Sequence, residues 1–406
     1  MIVVWLAFLA VLTDGFDTAI LALLVPHLAE EWVLPPAAFT YPLVLTNLGV
    51  VCGYVSCGFL ARKIGSKNLL VLGVLVFALA TIASAATLHL ESMSILSVTR
   101  AITGLGLGIV LPTAVVVGTR SGPVAKKQSI AVFVTMGLIT GATVAGFSGA
   151  VLIRSLGTDG TLWLAGLVPL VLGALMWRLI PTVSVPIPTS GAARGSAVVA
   201  ILGRELRSST VVLWVATFLV FVASYTLKSW LPTLFADYGL PKDTAGLGLA
   251  FFSLGGVAGG LVLMPLSARF SAVRSLVVMS LVGAASVCGV ALLPTGTALL
   301  MIMTLVAGLG ITACSIGQTA IAVGLYEDSL RATGVGWSAA AGRIGSIVGP
   351  AIAGILLGLN WPAQDIVLLL AAPILVTTVC WLWLARQARR TKAAVPAADI
   401  AATATR

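Results

Sequence analysis

Residues 2–25 read IVVWLAFLAVLTDGFDTAILALLV. Apart from Asp14 and Asp17 the run is apolar, and at ~1.5 Å rise per residue about 20 such residues cross a ~30 Å hydrocarbon core. It is therefore read as a membrane-spanning helix. The i, i+3 spacing puts both carboxylates on one face of that helix. An ionised carboxylate at mid-bilayer costs at least ~2.5–3.5 kcal/mol, and a like charge beside it adds to the cost. A chain carries such a pair where the face looks into a polar cavity, or where a charge titrates or is paired. Asp14 and Asp17 are thus either satisfied acids that hold helices together or a proton or ion site; the second reading is preferred.

The rest of the 406 residues agrees with a membrane solvent. The chain is 59% hydrophobic and 9% charged, against about 25% charged in soluble domains. Its net charge of +10 would suggest nucleic acid in a soluble protein, but the bases sit in short loops between apolar spans, and no nucleic-acid partner is expected. The cysteines, Cys52, Cys57, Cys288, Cys314 and Cys380, all fall inside apolar spans, where they read as small packing residues rather than a disulfide or metal framework. The N-terminus lacks the basic region of a secretory signal. The first span starts at Met1 itself, as a truncated or misassigned start would leave it.

Apolar runs mark twelve spans, near 2–28, 39–60, 69–90, 95–118, 129–153, 160–180, 211–234, 244–267, 275–294, 297–325, 332–358 and 363–385. Their links alternate in character. Links after even-numbered spans carry bases, among them Arg62, Lys63, Lys67, Arg120, Lys126, Lys127, Arg204, Arg207, Arg269, Arg274 and Arg331. Links after odd-numbered spans carry Glu30, Glu31, Glu91, Asp159, Asp237, Asp243 and Asp365, with Arg154 and Lys242 as their only bases. Lysine and arginine bias marks the cytoplasmic side, so both termini are expected inside the cell. The proline- and serine-rich stretch 181–210 divides the chain into an N-terminal six-helix bundle (1–180) and a C-terminal one (211–385), with a cytoplasmic tail at 386–406. Gly137, Gly141 and Gly146 in span 5 are echoed by Gly342, Gly345, Gly349, Pro350 and Gly354 in span 11. Six plus six spans with a cytoplasmic linker is the layout of secondary transporters whose halves rock about a central site. The expected fold is an all-α membrane protein of twelve helices in two pseudo-symmetric bundles.

Several classes fall away. No HExxH, GxSxG or paired His/Cys set supports an enzyme, and no P-loop supports an ATP-driven pump. Neither cofactor nor metal is expected.

Four stretches then carry a resemblance. DGFD at 14–17, RAITGLGLGIVLP at 100–112, SWLPT at 229–233, and RATGVGW at 331–337 leading to GRIGS at 342–346 resemble, in order, landmarks of the aromatic acid:proton symporters of the major facilitator superfamily. The resemblance covers both halves. It implies a monomeric, inner-membrane importer of an aromatic carboxylate of the hydroxybenzoate, protocatechuate or benzoate kind, driven by protons through Asp14 and Asp17. A proton-coupled exporter of drugs or metabolites on the same fold is the alternative. The chain departs from the superfamily at the gating loop after span 2, GFLARKIGSK at 58–67: Gly58, Lys63, Gly65 and Lys67 fit the pattern, but Arg62 stands where an aspartate belongs. In that family the aspartate helps to latch the cytoplasmic gate, so either this gate is held otherwise or the protein is weakly active.

Three bases lie inside spans. Arg100 sits at a depth similar to Asp17, as its counter-charge, as a fork for a substrate carboxylate, or as both in turn. Arg343, near the middle of span 11, is a second candidate for carboxylate binding or gating, or is held by broken-helix carbonyls. Lys228 either contacts substrate or snorkels to the interface. Tyr225, Trp230, Gln318, Trp337 and Asn47 complete the substrate-binding candidates, as sources of stacking and polar recognition.

Overall fold

The computed structural model describes residues 2–123, 127–181, 199–204, 206–292 and 296–404. Among them the secondary structure is entirely helical, as lipid demands: with no water to satisfy the backbone, each span must bond its own N–H and C=O groups. The first four long helices are α1 (Ile2–Glu31), α2 (Thr40–Ile64), α3 (Ser66–Ala86) and α4 (Met93–Ser121). The next, Lys127–Leu179, is twice the length of a span and is broken at Gly157, where φ is 74° and ψ 179°.

Packing shows that the chain reverses there. Gly137 and Gly141 lie against Phe8 and Leu12 of α1, and Gly149 against Leu23, so the first limb (α5, 127–156) runs parallel to α1. Gly166 lies against Ile82 and Gly173 against Leu75, so the second limb (α6, 158–179) returns antiparallel to α3. The second half follows as α7 (Arg207–Asp237), α8 (Lys242–Phe270), α9 (Ala272–Leu292), α10 (Thr297–Leu325), α11 (Asp328–Gly358) and α12 (Ala363–Gln387), whose helix continues to Ala404. Among the described residues eleven stretches are long and apolar enough to cross a membrane, and the one bent at Gly157 is long enough to cross twice, which gives the expected twelve spans. Most of the expected linker, residues 182–198 and 205, lies outside the described residues.

The two halves repeat each other at their closest helix contacts. A Cβ on Gly104 (α4) would run into the Thr46 carbonyl of α2, and a Cβ on Gly308 (α10) into the Phe252 carbonyl of α8. Gly49 meets Ala101 as Gly255 meets Leu305, and Gly106 meets Gly73 and Phe77 as Gly310 meets Gly283 and Met279. Such contacts are how helices associate in lipid, where burying apolar surface against a neighbour gains little.

The apolar core explains how the halves stand. One cluster joins both: Ile20 to Leu28, Trp32 and Phe39 from the first half pack with Leu227, Trp230, Leu234 and Phe235 from the second. Beside it, Glu30 at the end of α1 pairs with Lys242 at the start of α8. Towards the termini the cores are separate. Val3 to Val11, Phe77 and Val110 form one within the first half, and Leu213, Leu276, Cys314 and Trp381 form another within the second. The bundles are clasped at the acidic-loop end and independent at the end that holds the termini.

Candidate functional site

The fold separates the two aspartates of α1. Asp17 is fully buried and its carboxylate takes both prongs of Arg100: Nη2 donates to Oδ2 at 2.7 Å and Nη1 to Oδ1 at 3.2 Å. The Thr81 hydroxyl donates to Oδ1 at 2.7 Å. One carboxylate therefore ties α1, α3 and α4 together. Arg100 is fully buried too, and its Nε has no partner among the described residues.

Asp14, one turn nearer the N-terminus, faces elsewhere. It lines a cavity between the halves, on the terminal side of the shared core, with about 90 Å³ of room for the centres of water molecules. By that measure one water takes roughly 10–15 Å³, so the space suits several waters or one compact ligand. Most of the wall is aliphatic, from Leu21, Leu43, Leu111, Ile139 and Leu249. Polar groups from both halves converge on it, among them Asp14, Tyr54, Tyr225, Lys228 and Arg343, and apolar walls with convergent polar groups are usual for a small-molecule site.

Several of those polar groups are connected through Arg343. Arg343 of α11 donates from Nη1 to the Tyr225 hydroxyl of α7 at 3.2 Å and from Nη2 to the Tyr54 hydroxyl of α2 at 2.7 Å. Its guanidinium carbon also lies 4.3 Å from the Tyr54 ring centre, a cation–π geometry. Because α2 and α11 belong to different halves, this arginine bridges them beneath the shared core. Arg343 is in electrostatic reach of Asp14, and both line the cavity. Lys228 lies on the other side of Tyr225, its Nζ 5.0 Å from the ring centre. Phe221 stacks on Tyr225 at 5.7 Å between ring centres. The result is an aromatic wall flanked by two cations and faced by one free carboxylate.

The structure thus brings together six of the sequence candidates, Asp14, Asn47, Arg100, Tyr225, Lys228 and Arg343, all of which line the cavity. Asp17 stands behind that wall, in the pair with Arg100. The Arg343 prongs reach tyrosine hydroxyls and not carbonyls of a broken helix, and Lys228 turns to the cavity instead of the interface.

Three candidates are placed elsewhere. Trp230 is buried in the shared core, its Nε1 donating to the Pro350 carbonyl at 2.9 Å, which straps α7 to α11. Gln318 accepts from Ser338 at 2.6 Å and from Thr217 at 3.4 Å, in a polar knot inside the second half. Trp337 stacks on Trp214 at 5.6 Å between ring centres and is 45% exposed. Intramembrane polar and aromatic residues also serve as straps between helices, and the sequence does not separate the two uses.

The hydroxyl-bearing residues Thr18, Thr46, Ser229, Ser253 and Thr312 also line the cavity and were not among the candidates, and neither were Tyr54 and Thr81. Tyr54 follows Asn47 by seven positions, the same helix face two turns on, and that spacing was a usable signal. Thr81 offered none, since a threonine in a transmembrane helix commonly satisfies itself on the preceding turn.

At the gating loop, Gly65 takes φ 80°, Lys63 lies 4.5 Å over the Phe59 ring centre and Lys67 5.7 Å over that of Trp177. Gly58 and Arg62 are described only as part of the α2 backbone. The equivalent turn in the second half is made by Ser271, also left-handed with φ 78°.

A sequence model of the Major Facilitator Superfamily matches residues 7–241 and again 213–404. The chain belongs to the Major Facilitator Superfamily. Among similar curated proteins, the 4-hydroxybenzoate transporter PcaK of Pseudomonas aeruginosa is 30% identical over 407 residues, covering 93% of this chain and 90% of that protein. The gallate transporter of Pseudomonas putida is 28% identical, with 91% and 88% covered. The 3-(3-hydroxy-phenyl)propionate transporter of Escherichia coli is also 28% identical, with 93% and 92% covered. Among solved structures, a bacterial homolog of the human lysosomal transporter Spinster, inward-facing and unoccupied, superposes with a TM-score of 0.76 at 15% identity, covering 95% of this chain and 96% of that one. A D-xylose–proton symporter gives 0.72 at 16% identity, with 91% and 96% covered. At such identities the structural likeness concerns the fold alone. This superfamily member is a multi-pass membrane transporter and not an enzyme.

Proposed function

We propose that this transporter imports an aromatic carboxylate together with protons by alternating access. The relatives support the substrate class, because 4-hydroxybenzoate, gallate and 3-(3-hydroxyphenyl)propionate are all aromatic rings bearing a carboxylate. One observation in the site carries the reading: Arg343 presents its guanidinium to a compact cavity, between two tyrosines and opposite an otherwise unpaired carboxylate. A guanidinium matches a carboxylate in a two-pronged contact, and the rings of Tyr54 and Tyr225 suit an aromatic body.

The geometry favours Arg343 over Arg100 as the substrate's arginine. Both prongs of Arg100 are spent on a carboxylate, and freeing them would leave Asp17 buried and unpaired, whereas those of Arg343 meet neutral tyrosine hydroxyls that a carboxylate can replace. Asp14 then carries the coupling proton. Ionised, it competes with substrate for the charge of Arg343; protonated, it yields that charge to the substrate carboxylate. Substrate and proton therefore enter and leave together, and neither Asp17 nor Arg100 need change partner.

The loop charges orient the molecule with both termini, the 181–210 linker and the open side of the cavity in the cytoplasm. The clasp of Trp32, Phe39, Leu234 and Phe235 is then the closed outer gate, and the form described here releases substrate inward.

Uptake by proteoliposomes tests the reading. With an inward proton gradient, the wild type should accumulate radiolabelled 4-hydroxybenzoate. Asp14→Asn should lose accumulation against a gradient yet keep substrate exchange. Arg343→Lys keeps the charge but not the fork, and its affinity should fall about ten-fold. Equal transport of the uncharged amide, unaffected by Arg343→Lys, would refute carboxylate recognition and favour an exporter of neutral or cationic amphiphiles.

A further inference from the structure

The proposed mechanism gives Lys228 no part, yet its ammonium is the feature of the cavity that most needs explaining. It sits on α7 one turn beyond Tyr225 and lines the same space as Asp14 and Arg343. Its contact is the face of the Tyr225 ring, and the groups in its electrostatic reach are that tyrosine and Arg343, another cation. Among the described residues no carboxylate is paired with it. A buried ammonium without an anion is costly in any protein and more so at membrane depth.

The charge of the whole cavity sharpens the point. Arg100 and Asp17 cancel each other in their two-pronged pair. Asp14, Arg343 and Lys228 remain. With Asp14 ionised they sum to one positive charge; with Asp14 protonated, to two. A monoanionic acid bound with its proton therefore leaves one positive charge stranded in the closed, low-dielectric state that must cross between faces. A dianion leaves none.

We infer that the substrate of this transporter is an aromatic acid carrying two anionic groups, one held by Arg343 and the other by Lys228. Tyr225 sets the geometry. Its hydroxyl accepts from Arg343 while its ring underlies Lys228, so the two cations flank one aromatic side chain, and a benzene ring lying between them in the cavity can offer a carboxylate to each. The aliphatic remainder of the wall favours the ring itself. A benzenedicarboxylate is the simplest molecule with this chemistry. The inference rests on the proposed proton-coupled carriage of aromatic acids and narrows it to a substrate class.

Competition for uptake in proteoliposomes, at a pH where every acid is fully ionised, separates the two. The probes are benzoate, 4-hydroxybenzoate and the three benzenedicarboxylates, phthalate, isophthalate and terephthalate. At least one dicarboxylate should compete about ten-fold better than benzoate, the gain of one further charge-assisted contact. Lys228→Met should erase that advantage, weakening the preferred dicarboxylate about ten-fold more than benzoate, and Lys228→Arg should restore it. If a Lys228 variant fails to fold, the wild-type ranking still decides. Benzoate binding as tightly as every dicarboxylate would overturn the inference and leave the aromatic-acid reading standing. So would an equal loss of both ligands in Lys228→Met. Failure of all five acids to compete would overturn both.

Discussion

Asp17→Asn is a small change in shape with a large expected penalty. The native carboxylate accepts two charge-assisted hydrogen bonds from Arg100, at 2.7 and 3.2 Å, and one from Thr81 at 2.7 Å, with both charged side chains fully buried. Asparagine keeps one acceptor oxygen but presents an amide N–H₂ to the second guanidinium prong, and Arg100 remains charged with no anion. Arginine cannot shed its proton to escape. Removing one partner of a buried pair costs about 3–5 kcal/mol, and that is the loss expected for Asp17→Asn. Arg100→Gln strands the aspartate in turn and should cost a similar amount. Replacing both, Asp17→Leu with Arg100→Met, removes the charges together and should come within about 1–2 kcal/mol of wild type, well short of the sum of the single losses. The measurement is a double-variant cycle on apparent unfolding free energy in detergent, followed by tryptophan fluorescence. Strict additivity, or a stable Asp17→Asn, would show that the pair does not hold α1, α3 and α4 together.

The helix contacts and turns give further expectations. Gly104→Ala and Gly308→Ala each drive a methyl group into a carbonyl of the neighbouring helix, and each should lower stability by about 1–3 kcal/mol in the same detergent assay. Ser271→Gly relieves a side chain held at φ 78° and should raise stability by about 1 kcal/mol, whereas Gly65→Ala should lower it by a similar amount. In a variant lacking its native cysteines, single cysteines placed in the 181–210 linker should resist an impermeant thiol reagent added to intact cells; labelling there would invert the orientation.

Much of the fold was legible because lipid allows so few backbone solutions. Twelve apolar runs became twelve crossings, including the reversal near residue 157, which the sequence reading placed between spans ending at 153 and beginning at 160 and which the helix makes at Gly157. The site was legible only in part. Charges betray themselves in an apolar run, so Asp14, Arg100, Lys228 and Arg343 stood out, and all line one cavity. Partnership did not show. Depth along the helices matched Arg100 to Asp17, and the structure pairs them, but nothing in the residues said that Asp14 would face Arg343 instead of sharing Arg100. Uncharged candidates fared worse: Trp230, Gln318 and Trp337 are bound up in contacts between helices, and Tyr54 and Thr81 went unremarked.

The internal repeat shows why the scaffold was easier to read than the site. The same glycines recur at matching contacts, Gly104 with Gly308 and Gly106 with Gly310, because each half needs the same close approach of helices. In the same register, set by Gly141 on Leu12 of α1 and Gly349 on Val222 of α7, the charges do not recur. Asp14 corresponds to Ser224, Lys228 to Thr18 and Arg343 to Thr135. One half supplies the acid and the other supplies both cations, so the cavity's polarity exists only where the halves meet. A ligand that answers those cations must draw Arg343 away from Tyr54 and Asp14 of the other half, and that exchange would couple its binding to their relative motion.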